Sequence, residues 1–278
     1  MVSQGWSFED DRQHLVETPT PPTRILAYAQ AAQTLTQLGA PVVGYFGSQH
    51  HADAGDAAAA GLAVPNVGAA DAIDLDKVAA LRPDLIVSVT YAGEVYGLSE
   101  TAATTLAEIA PIALIGIADG RSLTSIIQRF HELAGSSDDS EEALTAAIDR
   151  LTSAAPTAQV TALSGGTPTD AYVANPAYWA SLRVLAEAGV QFTPTTTAGG
   201  WEVVKWEDLP TSHPADLLLY DQRPNSLGAE QLATIPAWAE VPGVRAGNVL
   251  PWNPEPALTY ATAAAFVTTV TDALTKPL

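Results

Sequence analysis

The side chains that could do chemistry fall into four groups. His50-His51 with Asp53 and Asp56 places two imidazoles and two carboxylates within seven residues, a donor set that suits a divalent metal ion. Adjacent histidines diverge on an extended chain, so both reach one ion only around a turn, and this stretch is Ala- and Gly-rich like a solvated loop. Ser164-Gly165-Gly166 follows a strand-like run and imitates an oxyanion loop. A hydrolase would also need a base, and His213 in Thr211-Ser212-His213-Pro214 stands before a strand rather than after one. Arg223, in Asp221-Gln222-Arg223-Pro224-Asn225, can give a fork of hydrogen bonds to a ligand's paired oxygens, or pair with Asp221. The fourth group is aromatic: Tyr28 with Gln30, Phe46, Tyr91, Trp179, Trp201, Tyr220 and Trp252. Such rings bury large area, order cheaply and keep a polar edge, which fits a bulky amphipathic ligand.

Composition narrows the chemistry. The 278 residues contain no Cys, which removes disulfides, thiolate metal sites and a cysteine nucleophile. Lys and Arg number 12 against 31 Asp and Glu, a formal charge of −19, which disfavours nucleic acid and anionic membrane surfaces as partners. No apolar run approaches the roughly 18 residues that a membrane helix requires. No GxSxG, GxxxxGK[ST] or early GxGxxG motif occurs. Met1–Thr23 lacks a basic segment followed by an apolar core, so the sequence as written carries no export signal, although a fragment of an exported protein would read the same.

The elements that position these residues alternate. Trp6–Phe8 and His14–Val16 flank a polar stretch and predict a hairpin. Arg24–Tyr28 is a short apolar run, Ala31–Leu38 a helix stopped by Gly39, and Pro41–Phe46 a strand. Leu75–Leu81 reads as a helix and Asp84–Val89 as a buried strand. The second half repeats the grammar with strands at Gln159–Leu163, Val190–Phe192 and Asp216–Tyr220, a helix at Tyr178–Ala188, a helical turn at Trp206–Leu209 and a terminal helix at Ala257–Leu274. Between the halves, Ser122–Ala134 has apolar residues at the spacing of one helical face. Ser137-Asp138-Asp139 then caps a helix running to about Ala155. Strands apolar nearly throughout and separated by helices predict parallel sheets covered on both faces. The expected fold is thus α/β: lobes over 1–120 and 138–278, joined by a linker helix over 121–137, with a ligand cleft beyond the strands' carboxyl ends. A local repeat relates the lobes. Asp76, Pro83 and Asp84-Leu85-Ile86-Val87 compare with Glu207, Pro214 and Asp216-Leu217-Leu218-Leu219.

The hairpin followed by Pro21-Pro22-Thr23-Arg24-Ile25-Leu26, then Val67-Gly68, Leu75–Val87, Arg183–Gly189 and Pro236–Val249, resembles the binding proteins of ATP-binding-cassette importers for ferric siderophores and cobalamin. These are helix-linked proteins with two Rossmann-like lobes, and the resemblance spans nearly the whole chain. It implies a protein that is not an enzyme, has no intrinsic cofactor and takes a ferric siderophore as ligand. It further implies a monomer outside the cytoplasm, periplasmic or a cell-surface lipoprotein, that meets the membrane only through an importer permease or a lipid anchor absent from this sequence. Asp76 and Glu207 match the acidic residues that dock to the permease; as helix N-terminal acids they also suit the helix dipole.

Trp201 and Tyr91 lead the expected ligand contacts, while Trp6, Trp206 and Trp238 are assigned to structure. Few bases lie near the expected loop ends beyond Arg223 and Lys205. A triply anionic ferric catecholate normally meets a basic pocket, so a neutral or cationic ferric hydroxamate fits better. A corrinoid, a metal ion held directly by His50 and His51, and a small ester hydrolysed at Ser164 are the alternatives.

Overall fold

The computed structural model describes residues 5–47, 62–118, 120–136 and 141–276. The chain divides into two compact units, Met1–Asp138 with Ala257–Thr259, and Asp139–Pro256 with Tyr260–Leu278. The helix expected as a separate linker over 121–137 therefore groups with the first unit, as do three residues near the C-terminus.

In the first unit a hairpin of β1 (Trp6–Glu9) and β2 (Leu15–Thr18) precedes β3 (Ile25–Tyr28), α1 (Ala29–Gln37), β4 (Val42–Gly47) and β5 (Asn66–Ala69). Then come α2 (Leu75–Leu81), β6 (Leu85–Thr90), α3 (Glu100–Ala107), β7 (Ile112–Gly116) and α4 (Leu123–Ala134). The strands pair in the order β5-β4-β3-β6-β7, all parallel. Every residue of β3 and β6 is buried, as expected for strands covered on both faces. From β3 the chain builds first to one side and then to the other, so the carboxyl ends of β3 and β6 form the topological switch point, where open α/β sheets bind ligands.

Helix α4 follows its periodicity. Leu123, Ile126, Ile127, Phe130 and Leu133 are buried, the Ser122 hydroxyl accepts from Ser125 N, and Gly135 ends the helix at φ 62°. Strand β7, which sequence reasoning did not assign, is an edge strand whose exposed ladder is covered by the hairpin turn. Leu114 N donates to Asp10 Oδ2 (3.2 Å), Gly116 N to Asp11 Oδ2 (2.7 Å), and Asp11 N to Leu114 O (3.0 Å). Carboxylates here do the work of a further strand and blunt an edge that could otherwise pair with another chain.

The second unit contains α5 (Glu141–Ala154), β8 (Gln159–Gly165), β9 (Asp170–Ala174), α6 (Ala180–Glu187), β10 (Gln191–Phe192) and β11 (Trp201–Lys205). It continues with α7 (Leu209–Ser212), β12 (Leu217–Asp221), α8 (Ala229–Leu232), a 3-10 turn at Pro236–Glu240, α9 (Pro242–Arg245), β13 (Val249–Trp252) and α10 (Tyr260–Thr275). The sheet order is β11-β9-β8-β12-β13, with β10 also on β8. Strands β8, β10, β12 and β13 are parallel, but β9 and β11 are antiparallel to their neighbours. The wholly parallel sheet expected for this half is corrected on that point. Only four residues, 166–169, separate β8 from β9, too few for a parallel crossover, and Thr167 N donates to Asp170 O (2.9 Å) to close the turn. The cap expected at Ser137-Asp138-Asp139 lies outside the described residues, as do His50, His51, Asp53 and Asp56.

The repeat seen in the sequence has a common structural role. In the first unit Asp84 Oδ1 accepts from Arg24 N (2.9 Å) and Oδ2 from Thr23 N (2.8 Å), while Asp84 N donates to Arg24 O. In the second, Asp216 Oδ2 accepts from Gln159 N (2.8 Å) and Asp216 N donates to Gln159 O. Each Asp opens one central strand and ties it to the start of its neighbour, fixing the register of the pair on which the sheet is built. Backbone hydrogen bonds hold the Asp84 carboxyl below its ordinary value, against the opposing effect of burial.

Candidate functional site

The loop after β6 organises the carboxyl edge of the first sheet. Glu94 accepts from Tyr91 N (3.0 Å) and Ala92 N (2.9 Å), and Gly93 N donates to Thr90 Oγ1 (2.7 Å). The buried Ser88 hydroxyl donates to Tyr96 O (2.7 Å). These bonds set Tyr91 edge-on to Tyr96 (4.9 Å between centroids) and Tyr96 edge-on to Tyr28 (5.2 Å), with Phe46 against Tyr28 (6.1 Å). Gly97, at φ +88°, lets the chain pass directly over Tyr28; a Cβ there would stand 2.8 Å from Tyr28 Cδ2 and 2.9 Å from Gly47 O.

Tyr28, Gln30 and Phe46 are buried, which corrects the expectation that they present surface to a ligand. They form the floor, and Tyr91 with Tyr96 forms the accessible layer. Tyr96 escaped sequence reasoning, although an aromatic in the same strand-end loop as Tyr91 was the available signal.

Beside Tyr91 a cavity of about 600 Å³ is lined by Arg12, Arg121, Thr90, Gly93 and Gly116. The small number of cations expected at loop ends is thereby corrected for this unit. Arg121 follows β7, the strand that went unassigned, and Arg12 arrives from the hairpin. Both charges are offset: Arg12 pairs with Asp10 and Arg121 with Asp11, which Arg129 also reaches at 3.2 Å. Burial alone would raise the Asp11 pKa, but the Arg121 hydrogen bond, the Gly116 amide and the charges of Arg121 and Arg129 outweigh it and hold the carboxyl below its ordinary value.

In the second unit three tryptophans converge. Ring centroids lie 5.1 Å apart for Trp179–Trp201, 5.9 Å for Trp201–Trp252 and 6.1 Å for Trp179–Trp252. Trp201 and Trp252 belong to opposite edge strands of the sheet, β11 and β13. Trp179 Nε1 donates to Gly200 O (2.8 Å), Trp252 Nε1 to Ser181 Oγ (3.4 Å), and Asn175 Nδ2 to Thr197 O (3.0 Å). A Cβ on Gly200 would come within 3.0–3.2 Å of the Tyr178 and Trp179 rings, so the Thr195–Gly200 loop packs tightly on the cluster. Trp252 is only 2% exposed, while Trp201 is half-buried and forms the accessible face.

Arg223 lies with its Cζ 5.7 Å from the Trp201 centroid, within cation–π range. It also forks onto Asp221, Nη2 to Oδ2 at 2.8 Å, with Glu255 3.6 Å from Nη1. Arg223 thus adjoins the cluster while its charge is met by carboxylates, the pairing with Asp221 that the sequence offered as one of two readings. Lys205 is likewise paired, at 2.6 Å with Asp170, and that partner draws the Asp170 pKa down to about 2.

Tyr220 lines a cavity of about 740 Å³ with Arg223 and Trp238 and stands apart from the three tryptophans. Its hydroxyl donates to Leu227 O (2.7 Å), its ring packs on Trp238 (5.3 Å), and it belongs with Trp206 to the unit's hydrophobic core rather than to the tryptophan cluster. Burial pushes its pKa up. The expected structural roles of Trp206 and Trp238 fit this packing.

Asp76 and Glu207 are both exposed, Asp76 in the first turn of α2 and Glu207 between β11 and α7. Helices α2 and α7 both lead into parallel strands, so each acid stands at the carboxyl edge of its own sheet. His213 is buried, with Nδ1 2.9 Å from Ser212 Oγ, and burial pushes its pKa down. Its hydrogen-bond partner is Ser212, not Ser164. Among the described residues no group of three or more His, Asp or Glu could hold a metal ion, and no helix is long and apolar enough to cross a membrane.

A search of curated protein sequences returns no match. Solved structures do match. DesE, a ferric-siderophore receptor protein from Streptomyces coelicolor, is 30% identical over 97% of each chain with a TM-score of 0.86. The siderophore periplasmic binding protein from the fuscachelin gene cluster of Thermobifida fusca is 18% identical over 91% of this chain and 96% of its own, at 0.66. The Fe3+-Desferal-bound siderophore binding protein FhuD from Vibrio cholerae is 17% identical over 91% and 97%, at 0.64. The latter two establish likeness of fold. The family model described as "Periplasmic binding protein" matches residues 26–256. With two α/β units built on parallel strands, aromatic clusters at the strand ends and a family match over most of its length, this chain belongs to the periplasmic binding protein family.

Proposed function

We propose that the protein captures a ferric siderophore of hydroxamate type outside the cytoplasm and delivers it, as a monomer, to the permease of an ABC importer. The observation that carries this reading is the convergence of Trp179, Trp201 and Trp252 from separate elements of the second unit, with Trp201 presenting an accessible ring beside Arg223. Clustered indoles suit the alkyl and amide surface of a large ligand. The 30% identity to a ferric-siderophore receptor adds weight. Charge supports the hydroxamate class. Arg12, Arg121, Arg223 and Lys205 at the strand ends are each paired with an aspartate, which leaves little net positive potential for a triply anionic catecholate. Asp76 and Glu207 are the proposed docking acids, and Trp201 and Tyr91 the leading ligand contacts.

Intrinsic fluorescence titration tests the proposal, because ferric complexes quench nearby tryptophans. Ferrioxamine B, a ferric catecholate, ferric citrate, cyanocobalamin and zinc make up the panel. Saturable submicromolar quenching by ferrioxamine B alone is expected. Tight catecholate binding would overturn the charge argument, cyanocobalamin binding would make the ligand a corrinoid, and silence across the panel would remove the siderophore reading.

A further inference from the structure

The cavity of about 740 Å³ in the second unit is bounded by the chain segment that follows β12. Leu227, Trp238, Val244 and Val249 line it, and each packs on the unit's hydrophobic core yet stays only partly buried. The polar groups of the wall are satisfied internally. Tyr220 Oη donates to Leu227 O (2.7 Å), Ser226 Oγ to Tyr220 Oη (3.2 Å), Arg223 Nη2 to Asp221 Oδ2 (2.8 Å), and Gly228 N to Gln231 Oε1 (2.8 Å). Gln222, exposed at the rim, turns its amide back to Tyr220 O (3.4 Å). What the wall offers a ligand is therefore largely the surface of its aliphatic and indole side chains.

This wall is held in place without a ligand. Leu227 N donates to Gly165 O and Gly165 N to Ser226 Oγ, each at 3.0 Å. A Cβ at Gly165 would overlap Tyr220 Oη and stand 2.8 Å from Leu227 Cβ, so the glycine that imitated an oxyanion loop instead lets the 226–227 segment close on β8. Preformed pockets of this size, with apolar walls and few polar groups, suit organic ligands. Position ties the cavity to the tryptophan cluster. Arg223 lines it and also stands with Cζ 5.7 Å from the Trp201 centroid, so one side chain separates the accessible indole from the cavity.

We propose that this cavity is an accessory subsite for an aliphatic arm of the ligand, so that the protein prefers acyl- or alkyl-extended ferric hydroxamates to those with short or polar ends. The inference rests on the siderophore reading above and adds to it the chemistry of the ligand's periphery. The iron-coordinating part meets the tryptophans, and the arm passes Arg223 into the cavity. Aliphatic carbon gains there by leaving water together with the partly exposed apolar side chains of the wall. A charged arm would be desolvated among polar groups that already have partners.

The test compares the ferric complexes of N-acetyl and N-octanoyl ferrioxamine B, acylated at the terminal amine, by fluorescence quenching in wild type, Ala233→Phe and Ala233→Asp. Ala233 lines the cavity from an exposed position, so neither variant disturbs the core; Phe fills the space and Asp charges it. Wild type is expected to bind the octanoyl complex at least tenfold more tightly than the acetyl complex. Both variants should erase that preference and leave the acetyl affinity unchanged. Equal affinities in wild type, or a preference that survives in either variant, would overturn the subsite. If wild type binds neither complex, the siderophore reading fails separately, and 8-bromooctanoate decides the cavity by itself. Contact quenching that is lost in Trp238→Phe and in Ala233→Phe upholds an aliphatic site, and its absence from wild type overturns one.

Discussion

Replacing Asp11 with alanine removes a carboxylate that joins three parts of the first unit. Its oxygens accept from Gly116 N on the edge strand β7 (2.7 Å) and from the guanidinium groups of Arg121 and Arg129. Asp11 is well shielded, with a side chain 10% exposed against 31% for Arg121 and 19% for Arg129. Breaking a fully buried ion pair costs about 3–5 kcal/mol, and a hydrogen bond to a charged group contributes about 1.5–3 kcal/mol. Partial exposure of both arginines lowers the first figure, so Asp11→Ala should cost about 2–3 kcal/mol. Melting points of domains this size shift by about 2–4 °C per kcal/mol, which places the expected drop at roughly 4–12 °C by circular dichroism or calorimetry. Asp11→Asn should lose most of the same energy, since the amide keeps the shape but not the charge.

The pH dependence supplies the sharper criterion. The folded pKa of Asp11 lies below its unfolded value of 3.8, so its contribution is fully present above that value and is lost as pH falls through the depressed folded pKa. The gap between wild type and Asp11→Asn should be constant near neutrality and close as the pH drops below about 4. A drop under about 2 °C in Asp11→Ala, or a gap that does not change with pH, would refute the ion-pair account of how the hairpin closes the β7 edge.

Three further outcomes are expected. Trp201→Ala removes the accessible ring of the tryptophan cluster and should weaken ferrioxamine B binding by about 2 kcal/mol, roughly 30-fold; an unchanged quenching midpoint would move the ligand elsewhere. Gly68→Ala should cost at least about 3 kcal/mol, because Gly68 sits at φ +102° and a Cβ would overlap the Ala72 carbonyl oxygen; a wild-type melting point would contradict the backbone geometry. The double variant Asp76→Ala, Glu207→Ala should keep wild-type affinity in solution and lose siderophore uptake in cells carrying the importer. Full uptake would remove the docking role.

The elements that were legible in the sequence are those whose signal is local. The strands DLIVSV and DLLLY and the helices LDKVAAL and SLTSIIQRFHELA lie close to where periodicity put them, because a strand buried on both faces and a one-faced helix each leave a pattern readable within a few residues. The internal repeat was also visible, down to the two aspartates that the structure turns into strand clamps. The docking role proposed for Asp76 and Glu207 comes only through family resemblance. Composition alone set aside thiol chemistry, and disfavoured nucleic-acid binding.

What the tertiary structure decided depends on partners far away along the chain. Nothing near WEVVK or DAYVA signals that they pair antiparallel, and IALIG became an edge strand whose missing neighbour is a turn 100 residues earlier. Tertiary packing sorted the aromatics: Tyr28 and Phe46 went under the Tyr91–Tyr96 layer and Tyr220 onto Trp238, while Trp179, Trp201 and Trp252 came together. Charge was redistributed the same way, since Arg12, Arg121 and Arg223 are offset by aspartates, whereas Arg183, one of several basic residues in the sequence, is buried unpaired. Sequence thus determined the elements and the residue types available to a site. Proximity and desolvation, which exist only in the folded chain, determined which of those residues cluster, which are buried and which charges are offset.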